Sequence, residues 1–337
     1  MNRIQILDCT LRDGGYANNW EFGFEAIQSI RSALDEIGVE FIELGFLRDE
    51  EYNRDRSVFD SVETMGELIG TKKAGTMYCG LVEMANYFPI EKLKVYSPEK
   101  PEAIRYSFWK RLMDDAYDYC RKIKEKGYKL CCQPTRVEQY TEKDFAELCK
   151  RFSELEPYGL YIVDTFGLLR KDDLVRYAQI GHEYLNPEIV LGYHAHDNLG
   201  QAFGNACAFI EQDYGERTIQ IDASMFGMGR GAGNLKLEQI LEHLNYKYHK
   251  NYNLMPIYRM WDAYLRKIHE EFPWGYELPY FIAASKECNP NYASYYMKKG
   301  YSTGEIYKIM EEIKGADKYL YSDEKAENHA KEAGVIK

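Results

Sequence analysis

The chain has 337 residues, of which 45% are hydrophobic and 15% aromatic, enough for one large α/β barrel with an appendage. Its formal net charge is −11, and an acidic chain without a basic block disfavours nucleic acid or an anionic membrane as partner. The N-terminal sequence does not resemble a signal peptide, the eight cysteines form no CxxC pair, and no apolar run is long enough for a membrane helix. These features predict a reduced, cytoplasmic protein.

Eight apolar runs of strand length alternate with stretches of helical period. The predicted strands cover residues 4–10, 41–46, 74–81, 103–108, 128–135, 160–167, 189–196 and 218–227. Predicted helices include residues 24–38, 142–157, 171–185 and 235–248. Apolar strands that are each followed by a helix indicate parallel strands buried on both faces. We therefore predict a TIM (β/α)8 barrel over residues 1–249, with an open doubly wound sheet as the alternative, and a helical C-terminal region over 250–337.

Polar residues concentrate where the predicted strands end, which is where barrels of this class carry their chemistry. The first strand leads into Arg12 and Asp13, and two glycines that leave room for a substrate follow at once. Glu43 and Arg105 lie on the second and fourth strands, and we expect both to contact substrate. The polar residues at the remaining strand ends are Ser107, Gln133, Asp164, Thr165, His194 and His196.

The His-Ala-His triplet at the end of the seventh strand predicts a metal site. Residues i and i+2 of a strand face the same side, about 7 Å apart, so His194 and His196 can bind one ion together. Asp13 would complete a mixed nitrogen and oxygen set for a divalent ion, with positions left open for substrate. The alternative is a pair of hydrogen-bonded histidines without a metal.

The glycine-rich segment "GMGRGAGN", residues 227–234, follows the eighth strand. Its position makes a dinucleotide-binding loop a poor interpretation. We expect a tight turn that brings Asn234 close to the site, and an ordinary loop before the last barrel helix is the alternative.

Four segments taken together resemble one enzyme superfamily. "DCTLRDGG", "DTFG", "HAHDNLGQA" and "GMGRGAGN" occur in this order within residues 4–245. The chain thereby resembles the DRE-TIM metallolyases, the HMG-CoA lyase-like superfamily, and is most similar to 4-hydroxy-2-oxovalerate aldolase-like proteins. The resemblance implies a TIM barrel that holds one divalent ion, Mn or Mg, with Co or Zn as alternatives. It also implies formation or cleavage of a carbon–carbon bond through an enolate.

The resemblance further implies roles for individual residues. Asp13, His194 and His196 would be metal ligands, and Asn234 would ligate or flank the ion. Arg12 would stabilise the enolate oxygen and hold the 2-oxo acid, and Thr165 would bind its carboxylate. In "NPNYASYY", residues 289–296, Tyr292 would be an active-site tyrosine.

One position departs from the family pattern. The aldolases carry a histidine base shortly after the Arg-Asp pair, where this chain has Tyr16. A phenol with a pKa of about 10 is a poor base at neutral pH. Arg12 and a dication would lower the pKa of Tyr16 and favour the phenolate. Otherwise a metal-bound water or Tyr292 replaces the base, or the reaction differs.

The sequence therefore predicts a divalent-metal-dependent aldolase that acts on a pyruvate-derived 4-hydroxy-2-oxo acid. Its small-molecule partners would be a 2-oxo acid and an aldehyde, and family analogy adds a homo-oligomer and a dehydrogenase partner. Two alternatives stay open. One is an acyl-CoA-dependent condensing enzyme like the isopropylmalate and homocitrate synthases, and the other is a non-catalytic metal-binding barrel.

Overall fold

Eight parallel strands close into a barrel in the computed structural model, which describes residues 3–335. β1 pairs in parallel with both β2 and β9, so the eight-stranded barrel is closed and the open-sheet alternative is wrong. A two-residue strand, β3, extends β2 outside the barrel. The strands are β1 (Arg3–Asp8), β2 (Phe41–Leu47), β3 (Val58–Phe59), β4 (Met77–Glu83), β5 (Ala103–Phe108), β6 (Lys129–Pro134), β7 (Gly159–Asp164), β8 (Val190–Ala195) and β9 (Thr218–Ala223).

Helices surround the barrel and continue beyond it. The first, α1, buries Ile27, Ile30 and Leu34 at helical spacing and is followed by the capping residue Gly38, whose φ of +89° suits glycine. The helices around the barrel are α1 (Phe24–Ile37), α2 (Val62–Ile69), α3 (Met113–Glu125), α4 (Glu142–Ser153), α5 (Lys171–Tyr184), α6 (Ala202–Ile210) and α7 (Leu237–Tyr248). The later helices are α8 (Met255–Met260), α9 (Arg266–Glu271), α10 (Leu278–Ser285), α11 (Pro290–Lys298), α12 (Thr303–Glu312) and α13 (Asp323–Glu332).

The inside of the barrel is layered along the strands. One layer is apolar and contains Phe41, Cys131 and Tyr161. Two residues further along their strands, towards the carboxyl ends, Glu43 and Arg105 point into the same space and are completely buried. Because alternate strand residues face the same side, this change from apolar to charged residues marks the floor of the site.

The C-terminal helices build a core of their own. α10 to α13 bury a cluster that includes Tyr292, Tyr296 and Ile309. The preceding α8 packs on α1, and its Ile257 belongs to the core between barrel and helices. The chain is therefore a TIM barrel with a helical C-terminal region. None of the helices within residues 3–335 is both long and apolar enough to cross a membrane.

Candidate active site

Three side chains converge at the carboxyl end of the barrel. His194 lies on β8, His196 follows that strand, and Asp13 lies in the loop after β1. Asp13 Oδ2 is 3.3 Å from His196 Nε2 and 3.9 Å from His194 Nε2. All three residues are buried, and their candidate ligand atoms lie within 4.8 Å of one another. The structure thus brings the three predicted ligands together.

Each histidine is oriented through its other ring nitrogen. His196 Nδ1 is 2.8 Å from the backbone oxygen of Asp164, and His194 Nδ1 is 2.9 Å from Asp222 Oδ2. A carbonyl oxygen only accepts, so Nδ1 of His196 carries the hydrogen and its Nε2 lone pair faces Asp13. Burial lowers the pKa of His194, which favours the neutral form that binds metals.

Asp13 has the properties expected of a metal-binding carboxylate. Burial alone would raise its pKa, but the adjacent Arg12 guanidinium holds that pKa well below its usual range. Its Oδ1 pairs with Arg12, whereas Oδ2 has no hydrogen-bond partner among the described residues. An ionised, buried oxygen without a donor is costly unless a cation meets it. The residues present therefore fit a divalent ion.

A chain of side chains with alternating charge links Asp13 to His194 beneath the metal-binding group. Arg12 Nε donates to Glu43 Oε2 at 2.7 Å, and Arg105 Nη1 lies 3.0 Å from Glu43 Oε1. Arg105 also pairs with Asp222, which holds His194. Three carboxylates, counting Asp13, and two guanidinium groups leave one excess negative charge, which a divalent cation would reverse.

This network corrects the expectation that Glu43 and Arg105 contact substrate. Both are completely buried, and neither lines the cavity above the floor. Their charged groups are already engaged with Arg12 and Asp222. Glu43 and Arg105 therefore fix the position of Arg12 and, through Asp222, of His194.

A cavity of about 180 Å³ opens above the three ligands. This is smaller than the roughly 300–1,000 Å³ typical of pockets for drug-sized ligands. Arg12, Tyr16 and Thr165 line it, as do Ser107 and Gln133 from β5 and β6. The structure thus places Arg12, Tyr16 and Thr165 beside the metal-binding group.

Tyr16 lies in this cavity without the environment of a phenolate. Its hydroxyl donates to Glu83 Oε2 at 3.3 Å, and its ring packs edge-on against Trp20 and Phe46. Burial, followed by the Glu83 carboxylate, raises the pKa of Tyr16. Arg12 lowers the pKa of Tyr16 less than burial and Glu83 raise it, so the protein groups by themselves do not favour the phenolate. The expected effect of a dication on Tyr16 stays a prediction.

The prediction of Tyr292 as an active-site residue does not hold in this structure. Tyr292 is completely buried in the core of the C-terminal helices. Its hydroxyl donates to the backbone oxygen of Asp317 at 2.9 Å, and the backbone oxygen of Leu320 is 3.3 Å away. The short sequence match did not reveal that Tyr292 is buried away from the cavity. α11 packs the face that carries Tyr292 into the core of the C-terminal helices.

Asn234 lies next to the predicted ligands but outside the group of three. Its backbone bridges to that of His196, and its Nδ2 donates to the Met228 oxygen at 2.8 Å. Its Oδ1 is buried with no partner among the described residues. The glycine-rich loop forms the predicted tight turn, with Asn234 N donating to Gly227 O at 2.9 Å. A ligand role for Asn234 stays a prediction.

Two functional side chains escaped the sequence analysis. Asp222 falls inside the predicted eighth strand, and its inward direction becomes clear only from the parity of β9. Glu83 is the last residue of β4, two positions beyond the predicted end of that strand. A longer third strand, read through "LVE", would have revealed Glu83.

Comparison with known proteins agrees with this geometry. The model of the HMGL-like family matches residues 3–263. A 4-hydroxy-2-oxovalerate aldolase of Geobacillus genomosp. 3 is 27% identical over 248 residues, which cover 72% of this chain and 70% of the relative. The corresponding aldolase of Thermomicrobium roseum is 29% identical over 246 residues, 70% of this chain and 65% of the relative.

Two solved structures share the fold. One is the N-terminal domain of a protein from Bacteroides vulgatus described as a candidate aldolase. It has a TM-score of 0.73 and 23% identity, and the match covers 89% of this chain and 98% of that one. The HMG-CoA lyase of Brucella melitensis has a TM-score of 0.59 and 18% identity, with 77% and 96% covered. Because the family model covers most of the sequence, the chain belongs to the HMGL-like family.

Proposed function

We propose that this protein is a divalent-metal-dependent aldolase that cleaves or forms a pyruvate-derived 4-hydroxy-2-oxo acid. The observation that carries the proposal is the convergence of Asp13, His194, His196 and Arg12 on one small cavity. Relatives named 4-hydroxy-2-oxovalerate aldolase support a carbon–carbon lyase.

Asp13, His194 and His196 would hold the ion, with Asn234 beside it. A divalent ion bound there would supply a Lewis acid for the 2-oxo carbonyl. Mn and Mg suit the substrate chemistry we propose, and Co and Zn also suit a mixed nitrogen and oxygen donor set.

Arg12 would bind the 2-oxo acid and stabilise charge as it develops. Its Nε and Nη1 are held by Glu43 and Asp13, whereas Nη2 has no hydrogen-bond partner among the described residues. A guanidinium fixed in this way has one edge free for an oxyanion and needs no reorganisation during the reaction. Thr165 also lines the cavity, and its hydroxyl would bind the substrate carboxylate.

Tyr16 and Glu83 would move the proton. In the cleavage direction, the 4-hydroxyl of the substrate gives its proton to the Tyr16 oxygen while the Tyr16 proton passes to Glu83 Oε2. The former O–H electron pair forms the aldehyde C=O, and the C3–C4 bond breaks. Its electron pair becomes the C2–C3 double bond of the pyruvate enolate, with the charge on the 2-oxygen beside Arg12. The proton then returns from Glu83 through Tyr16 to C3, which yields pyruvate.

Exchange of the pyruvate methyl protons tests this proposal without knowledge of the aldehyde. Metal-free protein is incubated with pyruvate in D2O, with and without Mg²⁺, Mn²⁺, Co²⁺ or Zn²⁺, and deuterium incorporation is measured by mass spectrometry. We expect exchange only with metal, and inhibition by oxalate, which mimics the enolate. Absence of exchange with all four ions would overturn the proposal, and metal-dependent turnover of acetyl-CoA instead would support a condensing enzyme.

A further inference from the structure

Three arginines near the site have guanidinium groups without a carboxylate partner. Arg111, Arg136 and Arg230 make no side-chain hydrogen bond and no ion pair with any residue of the described range 3–335. Other cations at this end of the barrel are neutralised, since Arg48 pairs with Glu83 at 2.7 Å and Lys110 with Asp144 at 2.6 Å. The chain has a net charge of −11, so a group of three arginines without a carboxylate partner indicates a site for an anionic ligand.

The three arginines lie along one continuous depression. Arg136 and Arg230 line the cavity that contains the metal-binding group. Trp109, Thr135 and Arg136 line both this cavity and a neighbouring one of about 580 Å³, and Arg111 lines the latter. The path from the metal-binding group therefore leads past Arg136 to Arg111.

Each guanidinium lies over an aromatic ring. The distances from guanidinium carbon to ring centroid are 5.2 Å for Arg230 on Tyr16, 5.2 Å for Arg136 on Phe166 and 4.8 Å for Arg111 on Trp109. Stacking restrains such a group and leaves its N–H edge for a planar or tetrahedral anion. The arginines are thus held in place without neutralisation.

Arg136 is close enough to Arg230 and to Arg111 for their positive charges to repel. Burial lowers the pKa of Arg136. Glu138 has the next largest effect and opposes this, and Arg230 and Arg111 lower the pKa further. Burial, followed by Asp164, raises the pKa of Glu138 to about 8, and Glu138 forms no ion pair with any of the three arginines within residues 3–335. The backbone of Arg136 has a φ of +56°, and its N–H donates to Thr165 Oγ1 at 2.7 Å. The fold therefore keeps a repulsive arrangement in place next to a residue of the site.

We propose that Arg136, Arg230 and Arg111 form a distal anion subsite, so that the aldehyde half of the substrate carries a phosphate or carboxylate group. A small neutral aldehyde would leave these cations unpaired, whereas an anionic end would receive charge-assisted, bidentate hydrogen bonds. The inference rests on the proposed aldolase function, since it assigns the acceptor of that reaction.

Matched pairs of aldehydes test the subsite. Metal-loaded enzyme with pyruvate is supplied with glyceraldehyde 3-phosphate or glyceraldehyde, and separately with succinic semialdehyde or butanal. We expect kcat/KM to be at least about tenfold higher for the charged member of one pair, because hydrogen bonds to charged groups are the stronger ones. The pair that shows the preference distinguishes phosphate from carboxylate.

Variants locate the preference. Arg136→Gln and Arg230→Gln should each reduce the ratio of charged to neutral kcat/KM by at least about tenfold, through a higher KM for the charged aldehyde. Arg121→Gln is the matched control, because Arg121 is exposed on α3 and pairs with Glu125. It should keep the wild-type ratio.

A direct binding measurement separates this inference from the proposed function. Calorimetric titration of metal-free protein with glycerol 3-phosphate and with succinate should show binding that weakens at least about tenfold in Arg136→Gln but not in Arg121→Gln. Active pyruvate exchange with equal ratios for charged and neutral aldehydes would overturn the subsite alone. If pyruvate exchange is absent but anion binding depends on Arg136, the aldolase proposal is overturned and the anion subsite stands. If wild type and Arg136→Gln bind the anions with equal affinity, the anion subsite is overturned.

Discussion

Arg12 and Asp13 show how neighbouring charges remain stable in a buried place. Each has partners on other strands, since Arg12 also pairs with Glu43 and Asp13 faces the two histidines. A buried ion pair is tolerated only when further contacts satisfy its remaining atoms. Removal of Asp13 would therefore affect the ion site, whereas removal of Arg12 would affect the charge network beneath it.

Loss of a histidine should release the ion. His194→Ala and His196→Ala each remove one of three ligands, and Asp222→Asn replaces the carboxylate that orients His194 with a neutral amide. We expect the alanine variants to lose stoichiometric metal, and Asp222→Asn to bind metal roughly 10–100-fold more weakly. Metal content by mass spectrometry checks this, with the exposed His249→Asn as control. Undiminished metal affinity in both alanine variants would contradict the assignment.

Arg12→Ala should abolish most catalysis while the ion stays bound, because Asp13 and the histidines remain. A fixed cation at a developing oxyanion contributes about 10²–10³ in rate. Arg12→Lys should rescue poorly, since an ammonium is a compact point charge and lacks the planar fork with which the guanidinium pairs with Glu43 and Asp13. Pyruvate exchange and metal content are measured together, and turnover near that of wild type in Arg12→Ala would remove Arg12 from the mechanism.

Tyr16 and Glu83 should behave as one unit. Because the pKa of Tyr16 is raised, we expect no tyrosine-dependent rise in rate between about pH 6 and 9. Tyr16→Phe and Glu83→Gln should each slow exchange by a factor on the order of 10². The double variant should be no slower than the slower single variant, because both act on the same proton. Additive losses, or a silent Tyr16→Phe, would argue that Tyr16 only packs on the substrate.

At the scale of elements, the loop after β1 holds the reactive pair in place. A side chain at Gly15 would overlap the Trp20 ring, and one at Gly14 would meet Met228 at 3.1 Å. Trp20 Nε1 in turn donates to the backbone oxygen of Arg12 at 2.7 Å. The two glycines thus make room for the protein's own side chains, not for the substrate as the sequence had suggested.

Gly15→Ala should therefore displace Trp20 and the Arg12 backbone. We expect a loss of about 1–3 kcal/mol in the free energy of unfolding and a larger relative loss of pyruvate exchange. Gly204→Ala, in the first turn of α6 with open space around it, is the matched control and should be neutral or stabilising by up to about 1 kcal/mol. Chemical denaturation measures both variants, and equal behaviour would contradict the packing role of Gly15.

For the whole molecule, the C-terminal region contributes to the rim of the barrel mouth. Asn289 lines the cavity with the metal-binding group, and Arg136 lies 6.0 Å from the Tyr319 ring. Glu138 lies in a depression between the barrel and this region, together with Glu287 and Tyr319. Both of its carboxyl oxygens are buried without a partner among the described residues.

Glu138 should make the protein less stable as the pH rises. Its pKa is raised from 4.5 to about 8, first by burial and then by Asp164. Unfolded protein loses this proton above about pH 4.5, whereas folded protein keeps it up to about pH 8. The free energy of unfolding therefore falls by a few kcal/mol between about pH 4.5 and pH 8, and the loss due to Glu138 stays constant at higher pH.

Glu138→Gln should remove this contribution. Asp8, whose pKa burial raises to about 7, would leave a smaller decline in the same direction. Urea unfolding at about pH 5, 7 and 9 measures the difference, with Glu142→Gln on the exposed start of α4 as control. An unchanged decline in Glu138→Gln would show that Glu138 does not carry the effect.

The sequence by itself determined the features that depend on local periodicity. Apolar strands followed by amphipathic helices predicted the barrel, and Gly38 marked the end of α1, because burial and capping act within a few residues. His194 and His196 were predictable as a pair for the same reason, since i and i+2 share one face of a strand. Arg12 and Asp13 stood out because charge follows an apolar run.

Only the tertiary structure decided which distant groups meet. The support of His194 by Asp222, and of Arg12 by Glu43, crosses between strands, and local pattern carries no information about which interior residues face each other across a closed barrel. Tyr292 matched a family segment, yet its hydroxyl found backbone partners within the C-terminal helices. The raised pKa of Tyr16 likewise results from burial and from Glu83, 67 residues away in sequence. Closure and burial, which depend on the whole chain, set the electrostatics of this site.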